Sequence, residues 1–576
     1  MKKWIEIIMA CALTGCAASS EQPPGQEAAP VVEKQSPAAE EAERETAIDP
    51  KVLYLLMAAE LAGQRNQYDV ALDGYLQAAE LTDDSRVAER AAKIGLFVKD
   101  ERRTEEAVNL WLERDKENLT ARKIAILSAL RRANKAEAVD HLNALLALDP
   151  GGFESTLVEM IKLMEKDGKD DFIYGVLEEL AVQHPDQAEI YFVQALLASK
   201  MQQYPQALQK NSRALALQSD WHKALLLQAQ LSSQTGDLEA ARGYLEQALE
   251  QTPEDERIRK MLAQVLVESK AYDDAVDLYR EVLDDKPDDG ESQFAIALIY
   301  LQQQELGQAE NYLEKLLHDP AWEAQASFYL GRIAYNREKY DKALVWFDKV
   351  SQGPLAFNAK MAAVSLLLSQ KRYDEAAERI GAMETKYPRQ RVRILLVKAE
   401  LYSETGQYQQ AFDILTDALQ SYPDSRELLY TRALIAEQLD KLDVLEADLL
   451  KILAQNPDDA GALNALGYTL VDRTERYQEA EAYLQKALRL QPDEAVIIDS
   501  YGWLQFKLGH TDEALRYLQR AYDLQPENEI AAHLAELLWV TGEKEKARRL
   551  IEEALEKTPE DRYLLDFKKR FLQSDE

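Results

Sequence analysis

The chain has two cysteines in 576 residues, Cys11 and Cys16, and no thiol after them. Two thiols confined to the N-terminus exclude a disulfide framework and a four-cysteine zinc site. Glycine (22) and proline (18) are scarce, which argues against low-complexity or collagen-like sequence. Basic residues are few beside acidic ones, 68 against 102, and the formal net charge of −34 repels a phosphate backbone, so nucleic acid is not an expected partner. Hydrophobic residues make up 46% and charged residues 30%, with an abundance of Ala, Leu, Glu and Gln that favours helices.

The N-terminus carries an address. Lys2 and Lys3 precede a short apolar stretch, residues 4–13, too short to span a bilayer as a mature helix. It ends in Leu13-Thr14-Gly15-Cys16, which resembles the lipobox of bacterial lipoproteins, although Glu6 inside the apolar stretch departs from that pattern. The resemblance implies a signal peptide over residues 1–15 and acylation of Cys16 as the first residue of the mature chain. More than one acyl chain on one residue holds a protein stably on a membrane. Ala17, rather than Asp, after the cysteine implies the outer membrane, with the body facing the periplasm. Residues 16–49 read as the lipidated N-terminus and a disordered linker rich in Pro, Ala, Gln and Glu. As a coil it would reach on the order of 30 Å.

From residue 50 the prolines are periodic. Pro150, Pro185, Pro253, Pro287, Pro320, Pro354, Pro388, Pro423, Pro457, Pro492, Pro526 and Pro559 fall 33 to 35 apart, with one double step. An alanine stands about twelve positions before most of them, from Ala138 to Ala547, and Ala71 and Ala107 extend the series. The clearest copy is AVIIDSYGWLQFKLGHTDEALRYLQRAYDLQPEN, residues 495–528. This pattern resembles the tetratricopeptide repeat, a helix-turn-helix unit of about 34 residues. The fold expected is all-α: a right-handed superhelical solenoid of about fifteen repeats over residues 50–559, closed by a C-terminal capping helix over 560–576. Gly502 and Ala514 are expected where the two helices of a unit come closest, Gly509 at the end of the first helix and Pro526 at the end of the second. The acidic residue after each proline is expected to meet the positive end of the next helix. Ile173 and Leu445 replace the alanine in two units and are expected to kink the array.

Chemistry is hard to find. None of His141, His184, His222, His318, His510 and His533 pairs with another at i+4, and HExxH, GxSxG, GxGxxG and GxxxxGK[ST] are absent. The acidic pairs Asp83-Asp84, Asp284-Asp285 and Asp458-Asp459 read as solvated turns. No enzyme, cofactor or metal site is expected. Binding is the stronger expectation, because stacked units present a concave groove lined by their first helices. The family's groove positions fall on Asn464 and Tyr468, on Asp499, Trp503 and Phe506, and on Glu536 and Trp539. An indole there is either a binding hot spot or packing between units. No Lys/Asn/Arg clamp for a C-terminal carboxylate is present.

Three segments resemble something narrower: residues 59–91, 464–487 and 499–509. With the lipobox and the array length they are similar to the LbcA-like lipoproteins of Gram-negative bacteria. That resemblance implies an outer-membrane adaptor, lipid-anchored and facing the periplasm. Such an adaptor binds and promotes a carboxyl-terminal processing serine protease, CtpA, and presents peptidoglycan cross-link hydrolases to it as substrates. A structural lipoprotein of an envelope assembly or pilus machine is the alternative, though such arrays are typically shorter.

Overall fold

A computed structural model of the chain describes residues 49–572. The expected signal peptide, Cys16, the expected linker up to residue 48 and the last four residues lie outside the described residues. Among the described residues there is no strand. Thirty helices from Pro50–Gln64 to Lys544–Lys557 make fifteen successive helix-turn-helix pairs in chain order, all but Phe153–Leu163 with Asp170–Gln183 packing closely on each other, and Arg562–Phe567 follows them, continuing as a π-type turn over Lys568–Leu572. The contacts divide the chain after Asp255, which places six pairs in the first unit and nine pairs with the terminal helix in the second. No helix among the described residues is long and apolar enough to cross a membrane.

Pairing depends on small side chains. Every alanine of the periodic series is fully buried: Ala71, Ala107, Ala138, Ala207, Ala241, Ala275, Ala309, Ala343, Ala376, Ala411, Ala480, Ala514 and Ala547 are all 0% exposed. Opposite them, a small residue lies midway along the first helix. A Cβ on Gly467 would sit 2.6 Å from Leu484 Cγ, and one on Gly331 would sit 2.6 Å from the Phe347 ring. Gly502 is placed as the sequence predicts, although its nearest contacts are Leu518 and Tyr517 at 3.0 Å. The turn then needs a left-handed residue, which Gly509 supplies at φ 83°. Nine non-glycine residues adopt the same conformation, among them Lys270, Glu338 and Asp440, each against a cost of about 1–2 kcal/mol.

The two units lacking the alanine behave differently. In the first, Ile173 and Ile161 line one apolar cleft with Leu157 and Leu177. The helix Asp170–Gln183 has its main contacts with Lys135–Leu148 and Ala188–Lys200, and Phe153–Leu163 also packs on Ala188–Lys200. Two isoleucines at the close-approach positions thus redirect the packing to the neighbouring pairs. In the second, Leu445 is 2% exposed and its helix still pairs closely with Arg426–Gln438, so the expected disruption is absent.

The acidic residues after the prolines also differ from expectation. The helix N-cap is one position further on: Asp289 accepts from the Ser292 amide at 2.8 Å and Asp459 from the Ala462 amide at 2.9 Å. The first acidic residue instead meets a cation on the second helix of its own pair. Asp424 meets Lys451, Asp458 meets Lys486 and Asp493 meets Arg520, at 3.1, 2.8 and 2.7 Å. The same cations donate to the carbonyls of Pro423, Pro457 and Pro492. Asp459 is not a solvated turn residue, since its side chain is 9% exposed and is held by Arg426 at 2.7 Å.

Gly467→Val should overpack the pair and destabilise the second unit by about 1–3 kcal/mol in urea unfolding. Gly381→Ala, where an added Cβ meets nothing within 4 Å, should stabilise it by up to about 1 kcal/mol.

Candidate functional site

The expected groove residues lie on three successive first helices, Ala460–Arg473, Ala495–Lys507 and Asn528–Val540. These helices touch one another in order, so their shared side forms one continuous face. Tyr468, Asp499, Trp503 and Phe506 gather around one residue that was not anticipated, His533. Its Nδ1 lies 2.8 Å from Asp499 Oδ2, and its ring stacks on Trp503 with centroids 4.1 Å apart and planes inclined by 17°. Phe506 lies against the indole at 5.2 Å, and Lys507 Nζ lies 4.4 Å from the indole centroid. The Tyr468 hydroxyl donates to Glu529 at 2.7 Å. Asn464 is half-buried, and its Oδ1 has no partner within the protein.

Glu536 and Trp539 form a second group against the terminal helix. Arg570 donates two hydrogen bonds to Glu536, both at 2.9 Å. Trp539 packs against Phe567 and Phe571 at about 6 Å. Leu564 and Phe567 complete this cluster, whereas Leu565 is 43% exposed. Trp503 is 4% exposed and Trp539 9%. Both indoles therefore hold packing positions between neighbouring elements, the alternative that the sequence left open.

The electrostatics at His533 follow from burial among carboxylates. Burial by itself lowers an imidazole pKa, but Asp499, Glu529 and Asp472 outweigh it and hold His533 above its ordinary value. Burial, then Glu529 and Asp472, push the Tyr468 phenol far up, so it remains a neutral donor. Burial likewise raises the Glu437 carboxyl, and Asp472 and Glu529 add to the effect. The arrangement is an imidazole held between an indole and a carboxylate, with its charged form favoured by the neighbouring carboxylates, which is a fastening between repeats. Among the described residues no group of three or more His, Cys, Asp or Glu side chains is arranged to hold a metal ion.

Sequence reasoning passed over this centre although the period reaches it, since His533 stands seven residues after Pro526 just as Asn464 stands seven after Pro457 and Asp499 seven after Pro492. A histidine at the groove position itself, one period after the acidic groove residue Asp499, was the available signal.

Paired helices with a shared lining face define a helical-repeat scaffold. The chain belongs to the tetratricopeptide-repeat family. Tetratricopeptide-repeat family models match residues 232–299, 266–321, 294–354, 394–425, 458–527 and 505–570. The TPR repeat-containing protein PA4667 of Pseudomonas aeruginosa is 36% identical over 496 residues, 84% of this chain and 82% of that protein. Among solved structures, the chain is similar to the thermophilic TPR protein TTC0263 of Thermus thermophilus, at 26% identity over 31% of this chain and 97% of that one, with a TM-score of 0.29. It is also similar to the APC/C hetero-tetramer Cut9-Hcn1, at 15% identity over 91% of this chain and 97% of that one, with a TM-score of 0.31.

Trp539→Ala should cost about 3–5 kcal/mol and lower the urea midpoint of the second unit. A pure binding residue would leave that midpoint unchanged. Because the folded pKa of His533 lies above the unfolded value of about 6.5, its ionic contribution is fully present below that pH and fades as pH rises through the folded value. The stability difference between the wild-type chain and His533→Gln, measured in urea, should therefore shrink from pH 6 to pH 9.

Proposed function

We propose that the chain is an outer-membrane lipoprotein whose repeat array faces the periplasm. There it binds and promotes a carboxyl-terminal processing serine protease and presents peptidoglycan cross-link hydrolases to it. The observation that carries this reading is the run of fifteen helix pairs, which offers partner-binding surface at many successive positions. The Leu13-Thr14-Gly15-Cys16 sequence supports the anchor, and the likeness to LbcA-like lipoproteins supports the choice of partner. The family match supports a protein-binding scaffold, and no catalytic family is indicated.

The physical role would be to raise effective concentration. Holding protease and substrate on one array turns a second-order encounter into a near-intramolecular one, at effective concentrations up to the millimolar range for short links. The nucleophile would belong to the bound protease. A lipid anchor would confine this chemistry to the neighbourhood of the membrane.

Affinity purification of the chain from detergent-solubilised envelopes should recover a carboxyl-terminal processing protease, and adding the purified chain to that protease should accelerate hydrolase degradation. Recovery of assembly-machine or pilus subunits alone would overturn the adaptor reading in favour of a structural lipoprotein. Cys16→Ser should move the chain from the membrane to the soluble fraction, and unchanged fractionation would overturn the anchor.

A further inference from the structure

Two contacts cross the inner face of the second unit over long stretches of sequence. Tyr468 reaches Glu529, 61 residues on, and Arg562 Nη1 donates to Gln438 Oε1 at 3.1 Å although 124 residues separate them. Neighbouring helices pack about 8–10 Å apart, so the four steps from the first helix Arg426–Gln438 to the terminal helix Arg562–Phe567 would span more than about 30 Å in a straight stack. The inner face is therefore curled until its last element touches the fourth-last pair.

The chemistry at that closure is specific. Glu437, Asp472 and Glu529 come from three different pairs; Asp472 and Glu529 both add to the burial that raises the Glu437 carboxyl, and Arg473 and Arg562 oppose them. The terminal helix brings them a cation and an aromatic ring side by side: Arg562 donates to the Tyr563 hydroxyl at 2.6 Å, and its guanidinium carbon lies 4.5 Å from the ring centroid. Burial works against the charge on Arg562, but Tyr563, Glu529 and Glu437 outweigh it. Burial and Glu529 together push the Tyr563 phenol up to about 12, so it is neutral there. Arg562 and Tyr563 thus occupy the acidic face as a bound peptide would.

We propose that the helix Arg562–Phe567 is a resident ligand that shuts the inner face of the last four pairs, and that this face accepts a polypeptide segment carrying a cation beside an aromatic residue, in competition with Arg562 and Tyr563. The inference deepens the scaffold reading by naming the partner chemistry and the regulation of one end of the array. A partner that engages this end displaces the terminal helix, and a partner that engages other pairs leaves it in place. The acidic lining selects a cationic segment and repels an acidic one.

The test uses the full chain with Arg562→Glu and Gln438→Glu, followed by hydrogen exchange, together with a fluorescent peptide of residues 559–572. Arg562→Glu should accelerate exchange in Arg562–Phe567 and in Arg426–Gln438 at least tenfold. Gln438→Glu, which places a carboxylate opposite the guanidinium, should slow it several-fold. The peptide should bind the Arg562→Glu chain at least tenfold more tightly than the wild-type chain, and a peptide with Arg562 and Tyr563 both changed to Ala should not bind. Unchanged exchange in both variants, or equal peptide binding to both chains, would overturn the proposal. If Arg562→Glu unfolds the second unit, Gln438→Glu decides alone: slower exchange supports the latch and no change overturns it. No protease enters these measurements, so failed protease capture with the expected exchange overturns the adaptor reading and leaves the latch standing.

Discussion

The close approach of two helices within each pair is the constraint on which the rest depends. It needs a buried alanine on the second helix and, on the first, a glycine or other small residue that receives the large side chain one turn beyond that alanine, as Gly467 receives Leu484 and Gly331 receives Phe347. Interiors are packed near crystal density, so one added methyl at such a point is felt. Where the requirement is met, the large apolar side chains fall into register behind the contact. Leu484, Leu518 and Phe347 are each at most 2% exposed. Where both positions are filled by isoleucine, at Ile161 and Ile173, the helices take their main contacts from the neighbouring pairs. Leu445 shows that one large residue can be absorbed when the facing position, Ala433, stays small and fully buried.

Curvature is the second consequence of regular pairing. The first helices stack on one another, and in the second unit their shared side closes far enough for Tyr468 to meet Glu529 and for Arg562 to meet Gln438. Closure also explains why an acidic chain keeps charges inside this face. Asp499 is 4% exposed and its histidine partner 7%, yet each is matched in the adjoining repeat. Burying one such charge without the other would be strongly unfavourable, so the two side chains fix the relation of their repeats. Arg432 and Asp448 do the same within one pair, through two bonds of 2.7 and 2.8 Å.

Much of the fold was legible in the sequence because it is written locally and repeatedly. The proline spacing, the alanine series and the glycine after the first helix each report a contact between residues fewer than about 34 positions apart. Asn464, Tyr468, Asp499, Trp503, Phe506, Glu536 and Trp539 were assigned by repeat position, and the structure groups most of them on neighbouring elements. It also buries Trp503 and Trp539, because His533 and Phe567 arrive from the following element. A repeat period cannot announce that the terminal helix folds back to Gln438, since that contact depends on curvature accumulated over several pairs. Nor could the period distinguish an N-cap from its neighbour: two acidic residues after a proline look alike in sequence, and only the geometry assigns one to the helix end and the other to a cation.

That cation has a further meaning. Lys451, Lys486 and Arg520 each bind the loop that opens their own repeat, so both ends of the interaction lie inside one stretch of fewer than 35 residues. A gene segment encoding one repeat carries the lysine or arginine together with the aspartate and proline that it grips. Duplicating or deleting such a segment would change the length of the array without orphaning any of these charges, and a solenoid built this way can lengthen or shorten by whole repeats with its loops already fastened.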